Sequence, residues 1–496
     1  MLPEIIFASK DPNQSRGIQK ELKAGRLRKL CQRVYTSNLI APPETLVTRN
    51  LYPILASLYP GALLSHRSAL EGRPVEKTLF ITYPYTKKVH LPGIVVRLLE
   101  GPAATALDLP FVGGLHISCE ARALLENLQP SRQRTTVRKT VSREALEQRL
   151  ESILHVRGED GLNKLRDEAQ QLARELGLER ELPLLEGLIR ALLGTGPADT
   201  LSSPQALARA AGRPYDPARL ELFTTLYASL RSEPLPSLIE DRLSPGELQH
   251  NAFFEAYFSN FIEGTEFEVE EARAIVMDQV IPTHRPVDAH DIIGTFRIVS
   301  NEQEMCRMPG SADALLELLC NRHAMIMSAR PDKRPGLFKE VANKAGSTHF
   351  VTPVLVRGTL ERAFEIYQAL EQPLERAIFI MFAVAEVHPF DDGNGRVARI
   401  MMNAELIQAG LVRVLIPTVY RENYLLALRA MSQNSRAAPC INMICEAQRF
   451  AATLELANFE VARAMLERAN AFCLPDEARL VVPPGASPSK TKLHSP

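Results

Sequence analysis

At 496 residues the chain is long enough for about three domains of ordinary size, each with a core of its own, so more than one domain is expected. Its composition is that of a soluble globular protein, 45% hydrophobic and 23% charged, and 58 basic residues against 58 acidic ones leave no net charge that would point to a partner. The longest nearly uninterrupted apolar run, Ala377 to Ala385, falls well short of the roughly 20 residues of a membrane-spanning helix, so no membrane partner is expected.

Met1-Leu2-Pro3-Glu4 lacks the basic, apolar and small-residue parts of a secretory signal, and a cytoplasmic location is expected. Seven cysteines, odd in number and without any C-x-x-C spacing, read as buried or idle thiols rather than disulfides or a zinc site.

Residues 1–135 mix a helical beginning with strand-like runs, Thr78 to Tyr83 and Gly93 to Leu98, and predict an α+β domain. Between Arg16 and Arg33 seven basic residues (Arg16, Lys20, Lys23, Arg26, Arg28, Lys29, Arg33) face a single acidic one, Glu21, with Ile18, Leu22, Leu27 and Leu30 at helix-compatible spacing. Such a segment can track DNA phosphates; it serves equally for solubility or for docking a protein. The stretch Leu27 to Tyr35, followed by Leu64-Ser65-His66-Arg67-Ser68-Ala69-Leu70, resembles the winged-helix start and following region of AbiEi-type antitoxin regulators. Ser65 and His66 suggest a nucleophile and base, but no oriented acidic partner is visible in the sequence.

Residues 136–205 carry leucines and alanines at three-to-four-residue spacing, as in Leu165, Ala169, Leu172 and Leu176, and predict amphipathic helices. Gly194 to Pro204, rich in Gly, Pro and Ser, predicts a hinge or linker. Residues 206–470 read as almost wholly helical, apart from Gly346 to Pro353, where glycine, β-branched residues and proline predict a short extended segment or hairpin. Residues 471–496 run into a Pro/Ser/Lys tail and are expected to be disordered.

The chemistry concentrates in His388-Pro389-Phe390-Asp391-Asp392-Gly393-Asn394-Gly395-Arg396-Val397-Ala398-Arg399. A helix apolar on nearly every face runs up to it, and Pro389 stops that helix at His388. Helical periodicity resumes at Arg396 and ends near Gly410, so the motif is a loop between two helices. Gly393 and Gly395 free the backbone to turn amides inward at a helix N-terminus, a ready cradle for phosphates. Arg396 and Arg399, three apart, share a helical face and can grip phosphate oxygens. Asp392 offers the hard carboxylate oxygen that Mg²⁺ prefers, and His388 is suited to take a proton from an attacking hydroxyl. Phe390 is expected to anchor the loop in the core.

This segment resembles the signature of the Fic family, H-P-F-x-D/E-G-N-G-R-x-x-R, with every specified position filled. The resemblance extends over about residues 245 to 450. It implies transfer of AMP from ATP to a Ser, Thr or Tyr hydroxyl of a target protein, or its removal. It makes His388 the general base, Asp392 the Mg²⁺ ligand, and Gly393, Asn394 and Gly395 the anion hole, with Arg396 and Arg399 holding the phosphates and Arg399 reaching the γ-phosphate. Tyr424, in Tyr420 to Leu428, either flanks the adenine or packs into the core, and Gly346 to Pro353 matches the position of the family's flap, a hairpin that pairs with a target by strand addition.

Upstream, Ser259-Asn260-Phe261-Ile262-Glu263-Gly264 resembles the family's inhibitory motif, placed before the core as in the subgroup with an N-terminal inhibitor. Glu263 is then expected to pair with Arg399, and Ser259, one helical turn earlier, to fix the carboxylate's rotamer or cap the backbone. The expected protein is thus multidomain: a mainly α-helical Fic domain preceded by an α+β domain, with a possible winged helix at its start. Its expected function is that of an adenylyltransferase using ATP and Mg²⁺ on a protein target or on itself, with homo-oligomerisation left open. The alternatives are a DNA-binding antitoxin-like regulator with a Fic core, and a Fic enzyme that performs deAMPylation or uses another nucleotide.

Overall fold

The computed structural model describes residues 3–9, 11–131, 137–232, 234–346 and 348–481. They form two compact units, one reaching Gly212 and the other starting at Arg213.

The first unit is α+β. A three-stranded antiparallel sheet places Val34–Thr36 between Ile5–Phe7 and Arg28–Cys31, and the basic helix Pro12–Lys23 connects the first strand to the hairpin. A second, six-stranded mixed sheet runs in the order Lys87–Leu91, Ile94–Glu100, Thr78–Tyr83, Leu63–Leu64, His116–Ile117, Leu109–Pro110. The two runs expected as strands are neighbours and parallel, with Leu79, Ile81, Val96 and Leu98 buried against Leu46, Val47, Ile54 and Leu55. The leucine-periodic stretch is one long helix, Arg143–Leu176, broken at Gly158, whose φ of 68° and ψ of −170° no ordinary side chain tolerates. Its Leu146, Leu150, Leu165 and Leu172 share a core with Leu124 and Leu125 of the preceding helix Glu120–Leu128, so these helices complete the α+β unit.

Two expectations require correction. Gly194 to Pro204 is no free hinge, because the buried Glu147 carboxylate accepts from the Ser202 and Ser203 amides at 2.8 and 2.6 Å and from the Ser202 hydroxyl at 3.0 Å, and the boundary falls at Gly212. Nor does the chain loosen at 471: Phe472 stacks on Phe258 with centroids 5.4 Å apart, and Val481 N–H donates to Ala469 O at 3.0 Å. The remainder of the expected tail, 482–496, lies outside the described residues.

The second unit is helical. At its centre is the histidine helix, Pro373–Val387, started by a Gln372/Glu375 capping box with proline in the first turn. Phe379, Phe382 and Val384 are among its fully buried side chains, and it packs against Pro217–Leu230, Val356–Gln368 and Asn394–Gln408. Truncating one such phenylalanine to alanine costs about 3–5 kcal/mol, which measures how firmly this helix is held. Pro245–Ile262, the glutamate helix, opens with a Ser244/Glu247 capping box, buries Phe253, Phe254 and Phe258, and ends at Glu263. No helix among the described residues is long and apolar enough to cross a membrane, and all seven cysteines are free.

Candidate active site

His388 terminates the histidine helix in the left-handed region, φ 52° and ψ 60°, because Pro389 forbids a further helical turn. Its Nδ1 lies 3.1 Å from Ala385 O, which fixes the proton on that nitrogen and leaves Nε2 as an acceptor. The ring is sandwiched on Phe350 with centroids 3.7 Å apart and planes 3° from parallel. Burial, with the Lys339 ammonium nearby as a further cause, pushes the imidazole down to about 4, so it stands neutral and ready to accept a proton at physiological pH.

The loop is anchored from within. Phe390 is fully buried and stacked on His323 at 3.8 Å, while the Asn394 side chain accepts from Phe390 N–H at 2.8 Å and donates to Phe390 O at 2.9 Å. His323 spans the loop's rear, its Nε2 3.1 Å from Asp392 O and its Nδ1 accepting from Gly336 N–H at 2.9 Å. Gly393 adopts φ 74°, and a Cβ there would sit 2.9 Å from Met327 Sδ. Its N–H is taken by Asp392 Oδ1 at 2.7 Å. The anion cradle therefore reduces to the first-turn amides of Asn394–Gln408, which lack intrahelical acceptors.

The two arginines part company. Arg399 lines the cleft beside His388, Gly395 and Glu263. Arg396 is buried and turned away: its Nη1 pairs with Asp291 at 2.9 Å and its Nη2 approaches Met327 Sδ at 3.3 Å. The expectation that the two guanidiniums share one face toward the loop is corrected: only Arg399 lines the cleft, because Asp291, a buried carboxylate on Pro286–Val299, captures the Arg396 guanidinium.

Arg399 is held at three points. It donates to Ser259 Oγ at 3.0 Å, to Ser259 O at 2.8 Å and to Glu263 Oε1 at 2.7 Å. Burial raises the Glu263 carboxyl, but the charges of Arg399 and then Arg396 outweigh it and leave it below the usual carboxylate range. Ser259 thus serves Arg399 and neither orients the carboxylate nor caps the helix end. Glu263 reaches into the loop so closely that a Cβ on Gly395 would lie 2.1 Å from its Oε1, so a side chain at 395 would push the carboxylate aside. Gly264, at φ 90°, turns the chain away after it. Tyr424 is buried with Arg399 5.7 Å above its ring centroid, and it also lines the cleft.

Beyond these groups the cleft, about 220 Å³, runs between the histidine helix and Arg421–Asn434 under the hairpin Lys344–Ala345/Thr348–His349. Phe350, Phe382, Leu425 and Leu428 wall it, with Glu386, Ser432, Thr348 and Arg429 as polar groups. The extended segment expected at Gly346 to Pro353 takes part in this hairpin only through its first residues, and Phe350 beyond it stacks on His388; Ser347 lies outside the described residues. Lys339, 3% exposed, donates to Asn343 Oδ1 at 2.6 Å and to Val387 O at 3.4 Å, tying the hairpin's base to the end of the histidine helix, and burial lowers its ammonium to about 8. Sequence reasoning missed His323, Lys339, Phe350, Asp291 and Glu386, since each lies outside a spaced motif and reaches the loop only through the fold.

The metal question turns on two adjacent carboxylates. Asp391 is paired with Arg334 at 2.9 Å, whereas Asp392 has no cation within 4.0 Å among the described residues. No cluster of three or more His, Cys, Asp or Glu is present among them. One carboxylate without a cationic partner, its Oδ1 already accepting from Gly393 N–H, next to an amide cradle fits Mg²⁺ bound mainly through phosphate oxygens and water, and not a metal held in an all-protein cage.

In the first unit, Ser65 and His66 do not form a relay. His66 Nδ1 is 3.1 Å from Ser65 Oγ and 4.0 Å from Glu126, so hydroxyl and carboxylate face the same nitrogen, and Ser65 is fully buried with Thr82 donating to it at 2.7 Å. Of the basic residues near the start, Arg26 pairs with Glu21 and Arg28 is spent on the Ala41 and Asn38 carbonyls.

Residues 313–406 match the Fic/DOC family model. The protein adenylyltransferase fic-1 of Caenorhabditis briggsae is 25% identical over 249 residues, covering 43% of this chain and 46% of that protein, and fic-1 of Caenorhabditis elegans is 25% identical over 246 residues with the same coverage. The protein adenylyltransferase Fic of Drosophila willistoni is 26% identical over 184 residues, 34% of this chain and 36% of that one. The chain thus spans less than half the length of these curated relatives. Among solved structures, a Fic-1 fragment from C. elegans shows 17% identity and a TM-score of 0.35, covering 66% of this chain and 97% of that one. A Fic domain containing signaling protein from Bacteroides thetaiotaomicron shows 17% identity and a TM-score of 0.37, covering 49% and 97%.

Proposed function

We propose that this chain, which carries a Fic/DOC domain, is a protein adenylyltransferase that moves AMP from ATP onto a hydroxyl side chain of a target protein or of itself, and that Glu263 holds it back. The observation that carries this reading is Arg399, a buried guanidinium at the mouth of an amide cradle, engaged by Glu263 at 2.7 Å beside a neutral His388.

The steps balance without further reagents. The first-turn amides and Arg399 receive the phosphates. His388 Nε2 removes the proton of the attacking hydroxyl, whose oxygen bonds to the α-phosphorus as the bond to the β-bridging oxygen breaks and pyrophosphate departs. Asp392 would hold Mg²⁺, which supplies neutralisation of the phosphate charge when bound. Glu263 and a γ-phosphate compete for one guanidinium, so the inhibited state admits ATP with its phosphates bent from an in-line path, and inhibition falls on turnover more than on affinity.

The test is incubation of the purified chain with ATP labelled at the α-phosphate, beside UTP, GTP and CTP labelled alike. Label entering protein from ATP, dependent on His388, supports the reading. Transfer from another nucleotide alone, or release of AMP from a modified protein without transfer, sinks it in favour of a different reaction on the same fold.

A further inference from the structure

Glu386 has no part in the transfer chemistry, yet it lines the same cleft two residues before His388. It is 4% exposed, and burial raises its carboxyl against the pull of Arg219 and Ser432. Both of those neighbours use one oxygen: Arg219 Nη1 lies 2.9 Å from Oε1 and Ser432 Oγ donates to it at 3.0 Å. Oε2 receives no hydrogen bond among the described residues and is not one of the sealed, unpartnered oxygens, so it opens on the cleft as a free acceptor between apolar walls.

Its place along the cleft indicates what would meet it. Tyr424, Leu428 and Ser432 are spaced four apart on one face of Arg421–Asn434, so Ser432 lies about 12 Å along the axis from Tyr424 at ~1.5 Å per residue. Tyr424 marks the phosphate end, since its ring sits under Arg399. Between them Phe382, Leu425 and Leu428 offer flat apolar walls. That span runs from a phosphate to the far edge of a purine and passes beyond its sugar. Arg219 is itself fixed, because its Nη2 donates to His349 O of the hairpin, so the carboxylate's orientation is set from a third element.

We propose that Glu386 is a specificity-determining residue for the nucleoside, its Oε2 accepting a hydrogen bond from the exocyclic amine of an adenine. The inference rests on the nucleotide reading above, and its test separates the two. Equilibrium binding of ATP, inosine triphosphate and 2′-deoxy-ATP is measured by calorimetry on the full chain and on its Glu386→Gln and Glu386→Ala variants, with thermal melts to show that each folds. Inosine triphosphate places a carbonyl where adenine has its amine and so sets acceptor against acceptor. The expected result is a wild-type preference for ATP over inosine triphosphate of roughly 10–100-fold, the worth of a hydrogen bond to a charged group. That preference should collapse toward unity in Glu386→Ala and reverse or vanish in Glu386→Gln, whose amide can donate to the carbonyl. The ratio of ATP to 2′-deoxy-ATP should stay constant. An ATP preference unchanged in both variants overturns the inference, as does a change confined to the deoxy analogue, which would put the contact on the sugar. Wild-type protein that binds no nucleotide overturns the parent reading instead.

Discussion

Replacing Glu263 by glycine should convert a nearly silent protein into an active one. The carboxylate supplies one of the three hydrogen-bonding contacts of Arg399, at 2.7 Å, and Ser259 supplies the other two, at 3.0 and 2.8 Å. Removing the carboxylate therefore frees a guanidinium edge without releasing the side chain, which stays aimed at the cradle. A charge-assisted bond of this kind is worth about 1.5–3 kcal/mol net, so turnover should rise by roughly 10–100-fold while ATP affinity changes little. Glu263 ends its helix as the C-cap, followed by Gly264, so glycine at 263 leaves the helix interior intact. Glu263→Gln, which keeps the shape and loses the charge, should fall between the two. The assay is incorporation of α-labelled AMP into the protein itself, with binding measured in parallel. Equal labelling of wild type and Glu263→Gly would mean that the pair with Arg399 does not restrain the reaction. A gain seen only as tighter ATP binding would refute the argument that the restraint acts on phosphate geometry.

His388→Ala should lower transfer by roughly 10²–10⁴-fold with ATP binding retained, since the imidazole moves a proton and does not hold the nucleotide; single-turnover labelling beside calorimetry checks this. Asp392→Ala should lose Mg²⁺-dependent turnover, and an unchanged magnesium titration would place the metal elsewhere. Because burial holds His388 at about 4, its base form persists as pH falls through the usual 6.5, so transfer should stay level down to about pH 5 and fail only near 4. Lys339→Met removes an ammonium that depresses the imidazole, and should move that acidic limb upward in a pH–rate profile.

The legible part of this molecule was what lies in one stretch of chain. The apolar helix, its stop at Pro389, the two-glycine turn and the restart of the next helix all follow from local rules, and the structure places a helix end, loop and helix start there. The Glu263–Arg399 pair was also readable, because a motif with fixed spacing marked it. Arg396 was not, since helical spacing brings it near Arg399 but says nothing of Asp291, 105 residues earlier, which takes its guanidinium. The same limit applies to Gly194 to Pro204, whose composition suggests a hinge while a buried Glu147 from another helix pins its amides. Composition reports what a segment can do when solvated; long-range partners decide what it does.

Transfer of the nucleotidyl part of ATP at this site is expected to run through His388. Intact-mass measurement of the Glu263→Gly protein after incubation with ATP and magnesium, beside Glu263→Gly combined with His388→Ala, tests it most directly. A gain of one or more AMP units is expected in the first protein and none in the second. No gain in either, a gain of phosphate alone, or equal AMP on both would contradict it.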